Sequence, residues 1–363
     1  MRFSDLPPPR EVPPESKARP TREATREPTR EKRDSPLPAE SRTGPPELSE
    51  QPPAVDEAHH EHLGPAATTT FRLRHLFNPA RGWFRRTERG INKFLSHHIF
   101  PGIPGIALPY SRALERDLTV SEADIGLEHL DPGLTGLKVL LASDMHAGPF
   151  LAPDALERTF ARLMTLEPDL ILLAGDFATI RLEEVEPTLP AYELLDAPLG
   201  VFGVLGNHDH YTGRSEELVS ILETTGIQFL QNRSVLLEQD GGRILLAGVD
   251  DLLCGEALLD EALRGRHSGM PSLLLSHNPD VFPEAVNRDV SLVLAGHTHG
   301  GQWRLPGLPV LVRMSRYRLD EGRYQAGGSQ LVVSRGLGAT GFPIRIGCPP
   351  EAVLLTLRPS QTP

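Results

Sequence analysis

The sequence predicts an α/β fold in which two mixed β-sheets pack face to face with helices on their outer sides, preceded by a disordered N-terminal tail. Three observations support this prediction. Apolar strands alternate with helical stretches between about 138 and 225, apolar strands dominate after that point, and the first 65 of the 363 residues hold 14 of the 35 prolines. We therefore expect a tail over 1–70, a basic amphipathic segment and linker over 71–110, and one folded domain over 111–358.

The tail mixes Pro with Arg, Glu and Ser and has almost no apolar periodicity. Such a composition cannot bury enough apolar surface to offset the conformational entropy lost on ordering. The roughly 250 residues that follow are rich in Val, Leu and Ile, which is enough for one large core. The tail is therefore expected to lie outside the fold.

Composition excludes several classes of protein. No apolar run reaches the length of a membrane-spanning helix, and no apolar stretch near the N-terminus resembles a secretory signal, so a cytoplasmic location is expected. Two cysteines, Cys254 and Cys348, are too few for a disulfide scaffold or a cysteine-based zinc site. The net charge of −11 argues against nucleic-acid binding, which needs a basic surface.

The segment 71–100 has the opposite charge, with seven Lys or Arg residues and one Glu. Its apolar residues, among them Trp83, Phe84 and Phe94, recur at near-helical spacing. A basic amphipathic helix of this kind can lie on an anionic membrane, with the arginines on lipid phosphates. It can equally pack as a helix on the acidic domain. The sequence leaves both interpretations open, and with them a membrane-associated location.

The folded domain can be followed element by element. Alternating residues over 116–127 predict a strand, and a turn at 131–136 leads to a buried strand at 138–144. Helical stretches are expected at 153–166, 183–195 and 214–225, with buried strands between them. A hairpin is expected to turn at 240–242. Later apolar strands are expected at 272–277, 291–297, 330–334 and 352–357.

Polar side chains follow five of these strands at the point where each ends. In chain order they are Asp144 with His146, Asp176, Asn207 with His208, His277, and His297 with His299. Residues i and i+2 of an extended chain point to the same side, so Asp144 and His146 can reach one ion. A single Asp or His after a strand is usually a cap or turn residue. Five such positions together indicate a site with oxygen and nitrogen ligands, which suits two adjacent hard or borderline ions.

These residues fall in the blocks DMH, GD, GNHD, SH and GHTH, in that order, between about 138 and 302. In this they resemble the calcineurin-like metallophosphoesterase superfamily. Further matches at 247–251, 299–302, 304–307, 333–338 and 347–350 resemble the bacterial YaeI/YkuE-like phosphodiesterase branch. That branch is similar to enzymes that cleave the pyrophosphate of UDP-2,3-diacylglucosamine.

The resemblance implies a double β-sandwich flanked by helices and a role for each residue. One metal ion would be held by Asp144, His146, Asp176 and His299, and Asp176 would bridge to a second ion held by Asn207, His277 and His297. His208 would face the substrate phosphate and assist the leaving group, with Asp209 as its orienting partner. His210 and Arg335 are weaker candidates for substrate contact, because a turn histidine and a loop-bracing arginine explain them as well.

The expected activity is hydrolysis of a phosphoester, most simply a phosphodiester. Two divalent ions can share a hydroxide for in-line attack on phosphorus and neutralise the phosphoryl oxygens. The ligands suit Mn, Fe or Zn, and less readily Mg. A lipid-linked pyrophosphatase of the UDP-2,3-diacylglucosamine hydrolase type is the alternative. A non-catalytic interaction scaffold is a further one, disfavoured because His208 and all seven ligand positions are present.

Overall fold

The computed structural model describes residues 105–305, 313–342 and 344–360, together with 59–62, 67–68, 94, 99, 103 and 310. All of these belong to one compact unit, 55–363. The basic segment 71–100 lies outside the described residues apart from Phe94 and Ile99, and so does most of the tail. Their predicted disorder and membrane contact therefore stay predictions. None of the described helices is long and apolar enough to cross a membrane.

The strands of the described residues are, in chain order, β1 (His59–His62), β2 (Ala67–Thr68), β3 (Thr119–Leu127), β4 (Lys138–Ala142), β5 (Leu170–Leu173), β6 (Val201–Gly203), β7 (Gln228–Phe229), β8 (Arg233–Gln239), β9 (Gly242–Gly248), β10 (Ser272–Leu275), β11 (Leu292–Ala295), β12 (Gly322–Ala326), β13 (Ser329–Val333) and β14 (Glu351–Pro359). The α-helices are α1 (Ala107–Asp117), α2 (Pro153–Met164), α3 (Leu189–Tyr192), α4 (Asn207–Tyr211), α5 (Ser215–Glu223), α6 (Leu259–Ala262) and α7 (Phe282–Val286).

The strands form two mixed sheets, which confirms the predicted architecture. The first has the order β1-β3-β14-β4-β5-β6-β7 and the second β2-β12-β13-β11-β10-β9-β8. Each sheet has six strands from the region after 118 and one short edge strand from the region 59–68. In the first sheet β4, β5, β6 and β7 run parallel, and in the second β9, β10, β11 and β13 do.

Alternate residues of each strand face different layers. Val139 and Leu141 of β4 lie in the core between the sheets, beside Leu273 and Leu292 of the second sheet. Leu140 faces outward to the core under α1, α2, α3 and α5. A third core lies between the second sheet and helices α6 and α7. Apolar residues buried on both faces explain why the central strands read as continuous apolar runs.

One predicted helix is wrong in part. The stretch 183–195 contains two 3₁₀ turns, Leu182–Glu184 and Glu186–Thr188, and only the short α3. Pro187 and Pro190 explain the difference, because proline donates no backbone N–H and cannot sit within a regular helix without breaking its hydrogen bonds.

The topology brings five strand ends to one place. β4, β5 and β6 are neighbours in the first sheet, and β10 and β11 are neighbours in the second. Parallel neighbours end at the same edge of a sheet, and open α/β sheets bind ligands at that edge. The packing of the two sheets joins the edges, since His277 Nδ1 after β10 lies 2.7 Å from the Ala174 carbonyl oxygen after β5.

Candidate metal centre

All seven residues predicted as metal ligands lie together and are buried. None has more than 4% of its surface exposed. They are Asp144, His146, Asp176, Asn207, His277, His297 and His299. Polar side chains at this depth need partners that satisfy their charge and hydrogen-bonding capacity.

One group of side chains surrounds His146. Its Nε2 lies 3.0 Å from His299 Nε2 and 3.5 Å from Asp176 Oδ2. His299 Nε2 lies 3.4 Å from Asp144 Oδ1. Asp144, His146 and His299 each offer an atom within 4.8 Å of the others, a grouping that could hold a metal ion.

A second group surrounds His277. Its Nε2 lies 3.3 Å from Asp176 Oδ2, 3.2 Å from Asn207 Oδ1 and 3.2 Å from His297 Nδ1. The Nδ1 atom of His277 donates to the Ala174 carbonyl oxygen, so its Nε2 atom faces the other side chains. A histidine ligand is usually oriented by such a bond from its second nitrogen. Asp176 Oδ2 therefore lies between the two groups.

These separations fit ligands of metal ions. With metal–ligand bonds of about 2.1 Å, neighbouring ligand atoms are about 3.0 Å apart in an octahedron and about 3.4 Å apart in a tetrahedron. The six distances given above lie between 3.0 and 3.5 Å. The donor set of carboxylate oxygen, amide oxygen and imidazole nitrogen is also suited to divalent ions.

The charge of the centre also fits the binding of metal ions. Within the described residues, the ion pairs of Asp144 and Asp176 are with histidines alone. Burial opposes protonation of His277, but the carboxylates of Asp176, Asp144 and Asp251 raise its pKa to about 10. Burial also raises the pKa of Asp144 to about 6. Two buried carboxylates without Lys or Arg partners are a site for added cations.

The backbone at the ligands is not extended. Asp144 has φ 53°, His146 φ 49°, Asp176 φ 56° and His299 φ 51°, all in the left-handed region. Asp144 and His146 do lie together, but not because they alternate along an extended strand. That part of the prediction is wrong, since β4 ends at Ala142. Such conformations are uncommon for residues with a Cβ atom and cluster at functional sites.

Close backbone approach explains the glycine in two of the sequence blocks. A Cβ atom on Gly206 would contact the Asp176 carboxylate, and one on Gly296 would lie 2.5 Å from Asp144 Oδ2. The residue before Asn207 and the residue before His297 therefore have no room for a side chain. The carboxylates of Asp176 and Asp144 therefore pack directly against the backbone of these two glycines.

Comparison with known proteins agrees with this geometry. Residues 137–301 match the calcineurin-like phosphoesterase family. The uncharacterized metallophosphoesterase YkuE of Bacillus subtilis is 31% identical over 254 residues, which span 69% of this chain and 89% of that protein. The chain belongs to the calcineurin-like metallophosphoesterase family. An uncharacterized metallophosphoesterase of Aquifex aeolicus is 32% identical over 256 residues, spanning 69% of this chain and 95% of its own length.

A third relative is a transmembrane protein with metallophosphoesterase domain from Danio rerio, 30% identical over 257 residues, 66% of this chain and 57% of that protein. Membership of this family identifies the chain as a metal-dependent phosphoester hydrolase. Its buried His and Asp cluster is compatible with a dinuclear site for divalent ions.

His208 of the metallophosphoesterase lies beside His146, with ring centroids 4.7 Å apart. A nitrogen of His208 also falls within 4.8 Å of ligand atoms of His146 and Asp176. Its Nδ1 lies 2.5 Å from the Thr179 carbonyl oxygen, and its backbone N–H donates to Asp176 Oδ1 at 2.8 Å. The sequence did not single out Thr179, because a backbone carbonyl leaves no signal in side-chain chemistry.

The orienting role expected for Asp209 is wrong. Its carboxylate is fully buried and accepts three backbone N–H groups, those of Asp176, Ala178 and Gly206, at 2.9 to 3.0 Å. Asp209 therefore holds the loops that carry Asp176 and Asn207, while Thr179 contacts the His208 ring. Burial and the nearby Asp176 charge raise the pKa of Asp209 to about 7.

His210 and Arg335 have other partners in the metallophosphoesterase fold. His210 Nε2 lies 2.7 Å from Asp250 Oδ1. Asp250 belongs to the stretch 247–251, which also resembles the family. The hydrogen bond that His210 donates to the Asp250 carboxylate raises the pKa of His210. Arg335 Nη2 lies 3.1 Å from Glu351 Oε1, and its backbone N–H donates to the same carboxylate. Substrate contact by either residue stays a prediction.

Arg345 is the residue that sequence reasoning missed. Its Nη2 lies 3.2 Å from His299 Nδ1 and donates to the carbonyl oxygens of Arg335 and Gly336. Burial lowers the pKa of His299 well below its ordinary value, and the charge of Arg345 adds to this. Arg345 lies 46 positions after His299 in a segment without a catalytic pattern, so its role depends on loop packing.

Proposed function

We propose that this metallophosphoesterase hydrolyses phosphodiesters with two divalent metal ions, of which Mn, Fe and Zn are favoured and Mg is admitted. One ion would bind Asp144, His146, Asp176 and His299, and the other Asp176, Asn207, His277 and His297. The observation that carries this proposal is the position of Asp176 Oδ2, 3.5 Å from His146 Nε2 and 3.3 Å from His277 Nε2.

Divalent ions held there would polarise the phosphoryl oxygens and lower the pKa of water enough to supply a nucleophile. Asp176 sets the spacing of the two groups, because one of its oxygens faces both. Asn207 offers its Oδ1 without adding negative charge. The buried walls exclude bulk water from the ligands and strengthen each electrostatic contact.

His208 would act at the leaving group. Its Nδ1–H donates to the Thr179 carbonyl oxygen, which fixes the ring, and the proton that passes to the leaving oxygen would be a second one, carried on Nε2 of the imidazolium. The ring stands nearly perpendicular to that of His146, at 85°. His208 lies with His146 and Asp176 in a grouping that could itself hold a metal ion, and we assign it to the leaving group instead.

The charges around the centre favour a diester over a monoester. Arg345 is an arginine beside the predicted ligands, with its Nη2 3.2 Å from His299 Nδ1. A monoester dianion is usually held by several Arg or Lys side chains. A diester carries a single negative charge and needs fewer of them.

The test uses the full chain stripped with a chelator and titrated separately with Mn, Zn, Fe and Mg. Hydrolysis of bis(p-nitrophenyl) phosphate and p-nitrophenyl phosphate is compared. We expect metal-restored activity on the diester in the wild type and in Asp196→Ala, a change at an exposed carboxylate. The same activity should be absent in Asp176→Ala. A preference for the monoester, or silence with every metal, would overturn the proposal.

A further inference from the structure

The carbonyl oxygen that orients His208 belongs to a buried loop. Thr179 is 4% exposed, and its carbonyl oxygen lies 2.5 Å from His208 Nδ1. A carbonyl oxygen can only accept, so Nδ1 carries the hydrogen of this bond. The orientation of the His208 ring therefore depends on what holds the peptide group that follows Thr179.

A single buried carboxylate oxygen holds this loop. Oε2 of Glu184 accepts three successive backbone N–H groups, those of Thr179, Ile180 and Arg181, at 3.2, 2.8 and 2.9 Å. Glu184 is 8% exposed, and its other oxygen, Oε1, lies 3.5 Å from Arg181 Nε. Burial of a carboxylate is costly unless hydrogen bonds satisfy it, and three donors converge on this one. The Glu184 carboxylate therefore fixes three successive residues of the loop.

One of these hydrogen bonds belongs to the same peptide group as the bond to His208. The Thr179 carbonyl and the Ile180 N–H are the two ends of one planar unit. The N–H end donates to Glu184 Oε2 at 2.8 Å, and the carbonyl end accepts from His208 Nδ1 at 2.5 Å. Hydrogen bonds in series polarise one another, so a carboxylate at the N–H end makes the carbonyl a better acceptor. Glu184 and His208 are thereby joined through a single rigid peptide group.

The other contacts of Thr179 tie the loop to the segment that carries His146. The Thr179 hydroxyl donates to the His146 carbonyl oxygen at 3.1 Å, and the Thr179 N–H also donates to that of Ala147 at 2.9 Å. A Cβ atom on Gly148 would lie 2.7 Å from Thr179 Oγ1 and 3.3 Å from Glu184 Cδ. The loop therefore packs directly against 146–148, and Glu184 holds it from the other end.

Glu184 does not join the metal centre. Within the part of the chain that the structure describes, none of the groupings that could hold a metal ion includes it. Its Oε2 atom faces the backbone N–H groups of its own loop, and its Oε1 atom faces Arg181. Any effect of Glu184 on the reaction must therefore pass through the loop that it holds.

We propose that Glu184 is a positioning residue for His208 and acts on it through the peptide group between Thr179 and Ile180. The role of His208 at the leaving group rests on the proposed function, whereas its link to Glu184 rests on the hydrogen bonds alone. A proton donor works only when its ring points at the acceptor, and small displacements of such a group cost much of the rate. The fixed carbonyl sets the direction of the His208 ring, and Glu184 fixes the carbonyl.

The first test compares two diesters that differ only in the leaving group, using the full chain with the metal ion that restores its activity. Methyl p-nitrophenyl phosphate releases a more stable anion than methyl phenyl phosphate, so its cleavage depends less on a proton donor. We expect Glu184→Ala to lower kcat about tenfold or more on the phenyl ester and by a smaller factor on the nitrophenyl ester, with KM and bound metal unchanged.

Two further variants serve as controls for this comparison. Glu184→Gln should stay within about threefold of the wild type, because its amide oxygen can accept the same three N–H groups. Glu186→Ala, at an exposed glutamate of the next turn, should leave both rates unchanged. Wild-type rates in Glu184→Ala, or loss of metal together with kcat in that variant, would overturn the proposal.

A double-mutant cycle shows whether Glu184 acts through His208. Glu184→Ala should lower kcat by less than about twofold in a His208→Ala background, because the group that it positions is then missing. An equal cost in both backgrounds would overturn the proposal, since Glu184 would then act on the metal ligands or on the whole fold. If Glu184→Ala does not fold, Glu184→Asp takes its place, because the shorter side chain keeps the charge and withdraws from the N–H groups.

The second test does not depend on activity. In the chelator-stripped full chain with nitrogen-labelled histidine, the Nδ1–H of His208 should give a low-field proton resonance that His208→Ala removes. We expect this resonance to move upfield in Glu184→Ala and Glu184→Asp but not in Glu186→Ala, because a less polarised carbonyl accepts more weakly. An unchanged resonance in the Glu184 variants would overturn the proposal. An upfield shift in a chain without diesterase activity would contradict the proposed function and leave the link between Glu184 and His208 intact.

Discussion

The Nε2 atoms of His146 and His299 lie 3.0 Å apart although their rings are stacked at an angle of 24°. An imidazole N–H lies in the plane of its ring, so stacked rings cannot direct a good hydrogen bond at one another. Burial lowers the pKa of His146 to about 3 and that of His299 well below its ordinary value, which keeps both rings neutral. Two neutral imidazoles that converge in this way suit one shared cation.

The metal content of two variants should distinguish the role of His277 from that of His208. His277→Ala removes a nitrogen that faces Asp176, Asn207 and His297, so we expect loss of bound metal together with activity. His208→Ala should retain metal and lower kcat by about 10² to 10⁴, because it removes a proton donor. Elemental analysis of each purified variant, beside its kcat on a chromogenic diester, makes the comparison. Equal metal loss in both variants would make His208 a ligand.

Gly296→Ala should disrupt the metal centre by steric clash alone. The added Cβ atom would lie 2.5 Å from Asp144 Oδ2 and 2.6 Å from Ser143 Cβ. We expect metal loss and an activity loss of about tenfold or more, as small displacements of catalytic groups commonly cause. Gly328→Ala is the control, because nothing lies within 4 Å of a Cβ atom there. Normal metal content in Gly296→Ala would show that the loop can move aside.

Asp209→Asn tests the structural role of that carboxylate. The amide keeps one oxygen but places an NH₂ group against backbone donors, so the free energy of unfolding should fall by about 2 to 4 kcal/mol. Urea denaturation measures the loss, and Asp240→Asn, at an exposed hairpin position, serves as the control. If Asp209 instead oriented His208, the variant would keep its stability and lose kcat alone.

The pair of His210 and Asp250 should make stability depend on pH. The pKa of His210 is raised by Asp250, so the stabilisation from this histidine is fully present below its unfolded value of about 6.5 and is lost as the pH rises through the folded value. The pKa of Asp250 is lowered: burial opposes the shift, but the hydrogen bonds from His210 and from the backbone N–H groups of Glu256 and Asp251 together outweigh it. Its contribution is therefore lost only as the pH falls below about 4.

We expect His210→Gln to lower the free energy of unfolding by about 1 kcal/mol near pH 5.5 and by progressively less above pH 7. Denaturant melts at several pH values measure this difference. His267→Gln, at an exposed position, should show no such trend. A cost of His210→Gln that grows with pH would contradict the ion pair.

Much of the fold could be predicted from local pattern. The strands β4, β5, β10 and β11 are apolar runs bounded by turn residues, and their terminal polar residues follow from the βα alternation. The helix predicted at 183–195 is wrong in part, because its helical periodicity hides two prolines, each in the first turn of a short segment. Periodicity reports which residues are apolar, whereas proline changes the backbone hydrogen bonds.

The sequence alone determined the family resemblance, the two-sheet architecture and the residues that end each strand, since these depend on residue type and spacing along the chain. Only the tertiary structure decided that Asp144 and His146 converge through left-handed backbone, that Thr179 and not Asp209 contacts His208, and that Arg345 reaches His299. These contacts join segments far apart in the chain, or depend on backbone dihedrals that residue type does not specify. They arise when the two sheets pack and bring the loops at their carboxyl edges together.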